Sequence, residues 1–247
     1  MGLKFSIPYQ IPFYETDITH QVKLPHLLAF SLQVSAMQSE SLGNADDAVF
    51  DQYGLVWIVT DYAIEIDRLP RYNEKVTITT EAISYNKIFC YRNFYITDET
   101  GQQIMLFKTT FALMDYETRK VAEVPDEVVA PYGAEKTKKL LRGPRYKVLE
   151  NPIETLYRVR YFDLDMNGHV NNSKYLEWML DVFDLDFLTK YTPARIDLKY
   201  VKEIHHGSEI YSGYEFDQDS LSSQHQICVD GNVHAQAIIQ WKEIGDK

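Results

Sequence analysis

The chain has 247 residues, 45% of them hydrophobic, and a formal net charge of -11, which is enough for one large hydrophobic core or two of roughly 120 residues. The acidic balance argues against nucleic acid as the main partner, because a polyanion is normally met by a basic surface that releases its counterions. No run approaches the roughly 18 consecutive apolar residues of a spanning helix. The stretch Met1 to His20 has neither the basic start nor the apolar run of a secretory signal, and Glu15 and Asp17 do not fit an organellar presequence, so a cytoplasmic protein is expected. Cys90 and Cys228 have no CxxC or metal-like spacing and read as reduced thiols. The 18 Tyr and 12 Phe favour pleated, half-buried surfaces.

In chain order, Pro25 fits the first turn of a helix carrying Leu24, Leu28 and Leu32 at helical spacing and stopping near Gly43. Ala29, Ser31, Ser35, Ala36 and Ser39 along it are small, as on a helix lying close against a sheet. A polar loop is expected over Asn44 to Gln52. Strands follow at Leu55 to Asp67, Lys75 to Ser84, Phe89 to Thr97 and Gln103 to Met114, with turns at Asp98-Glu99-Thr100-Gly101 and Asp115-Tyr116-Glu117-Thr118. In the second half, Asn171, Asn172 and Ser173 offer caps to a helix with Tyr175, Met179 and Phe183 along one face. Strands then follow at Arg195 to Ile204, Ser208 to Phe216, Ser222 to Val229 and Val233 to Lys242, with Asp230-Gly231 as the last hairpin turn.

This plan is used twice. Glu15, Asp17, Val22 and Leu28 stand 148 positions before Asp163, Asp165, Val170 and Leu176, the regular offset of a repeated unit. A long helix wrapped by an antiparallel sheet, present twice, gives an α+β double hotdog; two unrelated α+β domains are the other reading. The division expected is residues 1–135 for the first unit, 136–150 for a basic linker containing Gly143-Pro144, and 151–247 for the second unit. Where the second half has Asn167, Gly168 and His169, the first has Thr19, His20 and Gln21, so a single active site is expected, in the second half.

Attack of water on an activated carbonyl needs a base, a group that orients the carbonyl, and donors for the oxyanion that develops. His169 is the natural base, since an imidazole takes and returns a proton near neutral pH. Asp165 can orient a neighbour, and Asn167 offers an amide donor. The segment runs into a helix start whose first backbone N–H groups are unpaired and carry partial positive charge. The competing reading is an ordinary Asn-Gly loop followed by a helix cap. A metal site of His169, His205 and His206 is set aside, because adjacent residues on a strand point to opposite faces.

The run Asp163-Leu164-Asp165-Met166-Asn167-Gly168-His169-Val170-Asn171-Asn172-Ser173-Lys174-Tyr175 closely resembles the DLDxNxHVNNxxY pattern of the acyl-acyl carrier protein thioesterases of plastids and bacteria. Leu55 to Thr60 with Asp67-Arg68-Leu69-Pro70, and Glu117-Thr118-Arg119-Lys120 with Val124 to Val128, extend the likeness, which runs from about Thr16 to Ile239. The resemblance implies a double hotdog fold and a site of Asp165, Asn167 and His169 with an acidic residue on a later strand. That residue maps to Glu203, within Leu198 to Ile204, a stretch similar to the family's EYRREC. Ile204 stands where plant members have a cysteine, which removes a covalent cysteine route at this position and leaves water attack, with His169 and Glu203 both candidates for the proton. A bacterial member fits better than a plastid one.

The resemblance further implies no cofactor and no metal. The partner expected is an acyl carrier protein bearing its fatty acyl chain, with no membrane insertion and room for a homodimer. The acyl chain would lie in the first half, where Leu28, Leu32, Met37, Trp57 and Ile58 are candidate lining residues, each equally at home in a core. The basic segment Lys136 to Lys147 is a candidate docking patch for the acidic carrier. Coenzyme A thioesters as substrates, and a non-catalytic acyl-binding module, are the alternatives.

Overall fold

The computed structural model describes residues 2–166 and 168–245. The first half contains β1 (Lys4–Gln10), α1 (Leu24–Ser41), α2 (Asp46–Tyr53), β2 (Leu55–Ile66), β3 (Lys75–Tyr85), β4 (Phe89–Asp98) and β5 (Gln103–Asp115). Three short pieces close it: β6 (Val121–Ala122), α3 (Asp126–Val129) and β7 (Glu135–Lys136). The second half contains β8 (Ile153–Arg158), α4 (Asn172–Leu180), α5 (Leu185–Lys190), β9 (Tyr191–Tyr200), β10 (Glu209–Asp217), β11 (Ser222–Val229) and β12 (Asn232–Glu243). A single 3-10 turn precedes each main helix, at Phe13–Glu15 and Tyr161–Asp163.

The strands form one sheet in the order β1-β3-β4-β5-β2-β9-β12-β11-β10-β8, with β6 on β5 and β7 on β3 at its margins. Outward from the centre the two halves repeat one plan: the strand after the helix, then the last, the third and the second, then the N-terminal strand. They join where β2 pairs antiparallel with β9, from Asp61 opposite Lys199 to Glu65 opposite Arg195. The sheet curls around α1 and α4, and one core of buried residues runs through both halves. This is the double hotdog.

α1 starts with Pro25 in its first turn, where a missing N–H costs nothing, and buries Leu24, Leu27, Leu28, Ser31 and Val34. Each fully buried Leu contributes about 1.5–3 kcal/mol. The Ser31 hydroxyl donates to Leu27 O at 2.8 Å, which removes the cost of an unpaired buried oxygen. β1, at the sheet margin, accommodates Pro8, whose missing N–H would break a central ladder.

Several elements depart from the sequence reading. The polar loop expected over residues 44–52 is helix α2: Asp46 and Asp47 favour its N-terminus, Val49 is buried, and Gly54 (φ 66°) donates to Phe50 O at 2.7 Å to end it. One buried valine in a polar octapeptide leaves no periodicity to read. The α4 face stops short of Phe183, which lies in the turn between α4 and α5. The strand expected over Arg195 to Ile204 is shifted, starting at Tyr191 and ending at Tyr200. Pro193 disguises its start, tolerated because the register shifts there between Gln240 and Trp241. Glu203 and His205-His206 therefore lie in a loop, so the strand-alternation argument does not apply to the two histidines. The marginal strands β1 and β8 and the short α5 gave no distinct sequence signal.

Candidate active site

The segment Asp165 to His169 is a closed loop. Leu164 bridges Val170; the Asp165 N–H donates to His169 O at 2.8 Å, the Gly168 N–H to Asp165 O at 3.0 Å, and the His169 N–H to Asp165 Oδ1 at 3.2 Å. Gly168 has φ 78°, a left-handed conformation that glycine adopts without a Cβ penalty. Asp165 thus ties both ends of the loop. Asn167, the second residue of the expected set, lies outside the described residues.

α4 begins directly after this loop. Asn171 Oδ1 accepts from the Ser173 N–H at 3.0 Å and from the Ser173 hydroxyl at 2.8 Å. One of the helix-start donors expected for an oxyanion is therefore already used by the cap.

His169 Nε2 stands 3.8 Å from Glu203 Oε2, so two residues 34 positions apart in sequence meet across the mouth of one cleft. The backbone around Glu203 is pinned by β12: the Val201 and Lys202 N–H groups both donate to His234 O, at 2.8 and 3.1 Å, and His234 Nδ1 donates to Glu203 O at 3.0 Å. Burial pushes the His234 pKa down, which favours the neutral ring. The Glu203 carboxylate receives Arg119 Nη2 on both oxygens. Arg119 lies inside the Glu117 to Lys120 stretch, but nothing in its local spacing marks it as a site residue; only the fold brings it to Glu203.

Asp165, His169 and Glu203 all line a cavity of about 1010 Å³ that runs into the first half along α1. That is at the upper end of the range for small-molecule sites. Of the expected lining residues, Leu32, Trp57 and Ile58 face it, whereas Leu28 is wholly core and Met37 is not on its wall. Ala29, Ser35, Ala36 and Ser39 also line it. At these positions the small residues of α1 open space beside the sheet instead of bringing the two together.

The cavity wall also carries a charge. Arg92, only 7% exposed, donates through Nη1 to Gln38 Oε1 at 2.5 Å and Thr80 Oγ1 at 2.8 Å, with its guanidinium 5.0 Å from the Tyr132 ring centroid. Burial lowers its pKa to about 10, still cationic at neutral pH. Chemically, the arrangement offers an imidazole beside a carboxylate at the mouth of an elongated, partly apolar chamber. Those are the components for activating water next to a bound chain.

Comparison with known proteins places the whole chain among characterised relatives. The acyl-ACP (acyl carrier protein) thioesterase N-terminal domain matches residues 2–132, and the acyl-ACP thioesterase C-terminal domain matches residues 146–243. A chloroplastic acyl-acyl-carrier-protein hydrolase of Cuphea viscosissima is 25% identical over 224 residues, covering 85% of this chain and 54% of its own length; the chain thus spans about half of that relative. A crystal structure from Lactobacillus plantarum, assigned as an oleoyl thioesterase, is 32% identical, covers 99% of this chain and 98% of its own, and superposes with a TM-score of 0.93. An acyl-ACP thioesterase structure from Bacteroides thetaiotaomicron, at 22% identity, covers 97% of this chain and 98% of its own with a TM-score of 0.86, and shares the fold. With matches to both domains of one family covering all but its linker and ends, the chain belongs to the acyl-ACP thioesterase family.

Proposed function

We propose that the protein hydrolyses the thioester of fatty acyl-acyl carrier protein to free fatty acid, using water activated at a site of Asp165, Asn167, His169 and Glu203. The observation that carries this reading is the continuity of the His169–Glu203 cleft with the chamber along α1. A thioester carbonyl held at the mouth leaves its chain to run inward.

His169 takes a proton from water as the oxygen adds to the carbonyl carbon, and Glu203 stabilises the imidazolium from 3.8 Å. Collapse of the tetrahedral intermediate breaks the C–S bond, and the imidazolium returns the proton to the departing carrier thiolate. Asp165 holds the loop that aims the ring, and Asn167 supplies an amide donor to the carbonyl oxygen or to water. The depth of the chamber selects chain length, each methylene being worth about 0.8 kcal/mol.

The carrier's acidic surface would meet Lys138, Lys139 and Arg142, which are exposed and in no ion pair among the described residues; charge reversal there that left the rate on carrier-bound substrate unchanged rules this surface out. The central test is hydrolysis of a panel of acyl-acyl carrier protein substrates by wild type and His169→Ala. Release of fatty acid by wild type, lost in the variant, is the expected result; equal rates in the two would sink the mechanism.

A further inference from the structure

We infer that Arg119 is a positioning residue of this site, supplied by the first half to hold the Glu203 carboxylate in the orientation that faces His169. The inference rests on the thioesterase reading above. Glu203 is anchored on two sides. Its main-chain carbonyl accepts from His234 Nδ1 at 3.0 Å, which fixes the backbone and leaves the side chain free to rotate. The carboxylate itself is engaged by Arg119 Nη2 through both oxygens, which leaves Oε2 3.8 Å from His169 Nε2. Both contacts come from the single nitrogen Nη2, which sets one cationic N–H group between the two carboxylate oxygens at a distance fixed by the length of the arginine side chain.

Arg119 is itself held. Asp115 Oδ1 accepts from the Thr118 N–H and hydroxyl, both at 2.7 Å, the Arg119 N–H donates to Asp115 O at 3.0 Å, and the Asp115 N–H to Lys120 O at 2.9 Å. Arg119 adopts φ 55° in this turn, an uncommon conformation for a residue with a Cβ and one that the surrounding turn must impose. The pair is also about one-third exposed on both side chains, where ion pairs contribute little to folding, so its removal tests geometry rather than stability.

The experiment is a double-mutant cycle with Arg119→Met, Glu203→Gln and the double variant, using one acyl group on acyl carrier protein and on coenzyme A, with Arg119→Lys alongside. Arg119→Met is expected to lower kcat roughly 100-fold, the scale of a misplaced catalytic group, on both carriers and with KM little changed. The double variant should be no slower than Glu203→Gln alone, because Arg119 acts through Glu203. Arg119→Lys should recover only part of the rate. Additive losses in the cycle, full activity of Arg119→Lys, or a KM increase confined to the carrier-protein substrate would each overturn the assignment while leaving an active wild type, and hence the thioesterase reading, intact. A wild type inert on every thioester would overturn both.

Discussion

The loop Asp17 to Val22 and the loop Asp165 to Val170 are one structure used for two purposes. Both follow a 3-10 turn, both close through a bridge, Thr16 with Val22 and Leu164 with Val170, and both donate the Asp N–H to a carbonyl four residues on at 2.8–2.9 Å. Gly168 at φ 78° is matched by His20 at φ 63°. After the helices the offset between halves falls from 148 to 134: Asp67 and Arg68 donate to Ile104 O as Val201 and Lys202 donate to His234 O, and Asn73 donates to Ile11 O as Gly207 donates to Val159 O. Glu203 therefore corresponds to Leu69, and His169 to Gln21. The backbones differ as well. The Val22 N–H donates to Pro70 O and the Tyr72 N–H to His20 O, both at 2.9 Å, and Gln21 bridges Arg71. Among the described residues, no backbone bond ties 168–170 to 204–206. The first loop is zipped to its neighbour, and the second is open, with the cavity mouth between the two strands of chain. The proposed site thus differs from its first-half counterpart in the separation of its backbones as well as in two side chains.

This comparison can be broken by swapping its members. His169→Gln, which gives the second loop its first-half residue, should lower kcat by about 10²–10⁴, the usual contribution of a general base, in a steady-state assay on acyl-acyl carrier protein. Glu203→Leu should cost about 100-fold on the same assay. The reverse graft, Gln21→His with Leu69→Glu in the His169→Ala background, should restore no turnover, because the zipped first loop gives substrate no entry; recovered activity would show that side chains alone separate the halves.

The two helices differ in the same sense. α1 has 18 residues, and its small side chains border the cavity; α4 has 9, and beyond it the second half is filled by rings. Phe183 stacks on Phe187 at 4.3 Å and meets Trp241 at 5.1 Å and the ring of His225 at 5.7 Å. Trp241 Nε1 donates to Ser223 Oγ at 2.8 Å, and the Ser223 hydroxyl shares a 2.7 Å hydrogen bond with Nε2 of the buried His225. Burial lowers its pKa to about 3. The unfolded chain takes up this proton near pH 6.5 and the folded one only near 3, so stability is lost as pH falls between those values. The slope from this group is about 1.4 kcal/mol per pH unit. Urea midpoints at pH 7 and pH 5 should show a smaller acid loss in His225→Gln than in wild type. The smallest effect expected is in the loops: Gly168→Ala should destabilise and His20→Gly stabilise by about 1 kcal/mol each, through the left-handed backbone they share. That is about 2–4 °C in Tm for a chain of this size, read by calorimetry.

Much of this could be read from the chain itself. The repeat was legible because equal spacing of Glu15, Asp17 and Val22 with Asp163, Asp165 and Val170 survives divergence, and most strands because alternation is a local pattern. α2 was not legible, since its stability comes from one buried valine and a glycine stop. Nor was the displacement of Glu203 off its strand, because the end of β9 is set by a carbonyl of β12.

By itself, then, the sequence determined the duplicated helix-and-sheet plan and the loop from Asp165 to His169 that runs into a helix start, both of which depend on residues near one another in the chain. Only the tertiary structure decided that His169 meets Glu203, that Arg119 from the other half holds that carboxylate, and that the small residues of α1 border a chamber. These depend on which strands pair at the β2–β9 seam and on how far two loops stand apart. Both are fixed by long-range packing, and no short stretch of residues encodes them.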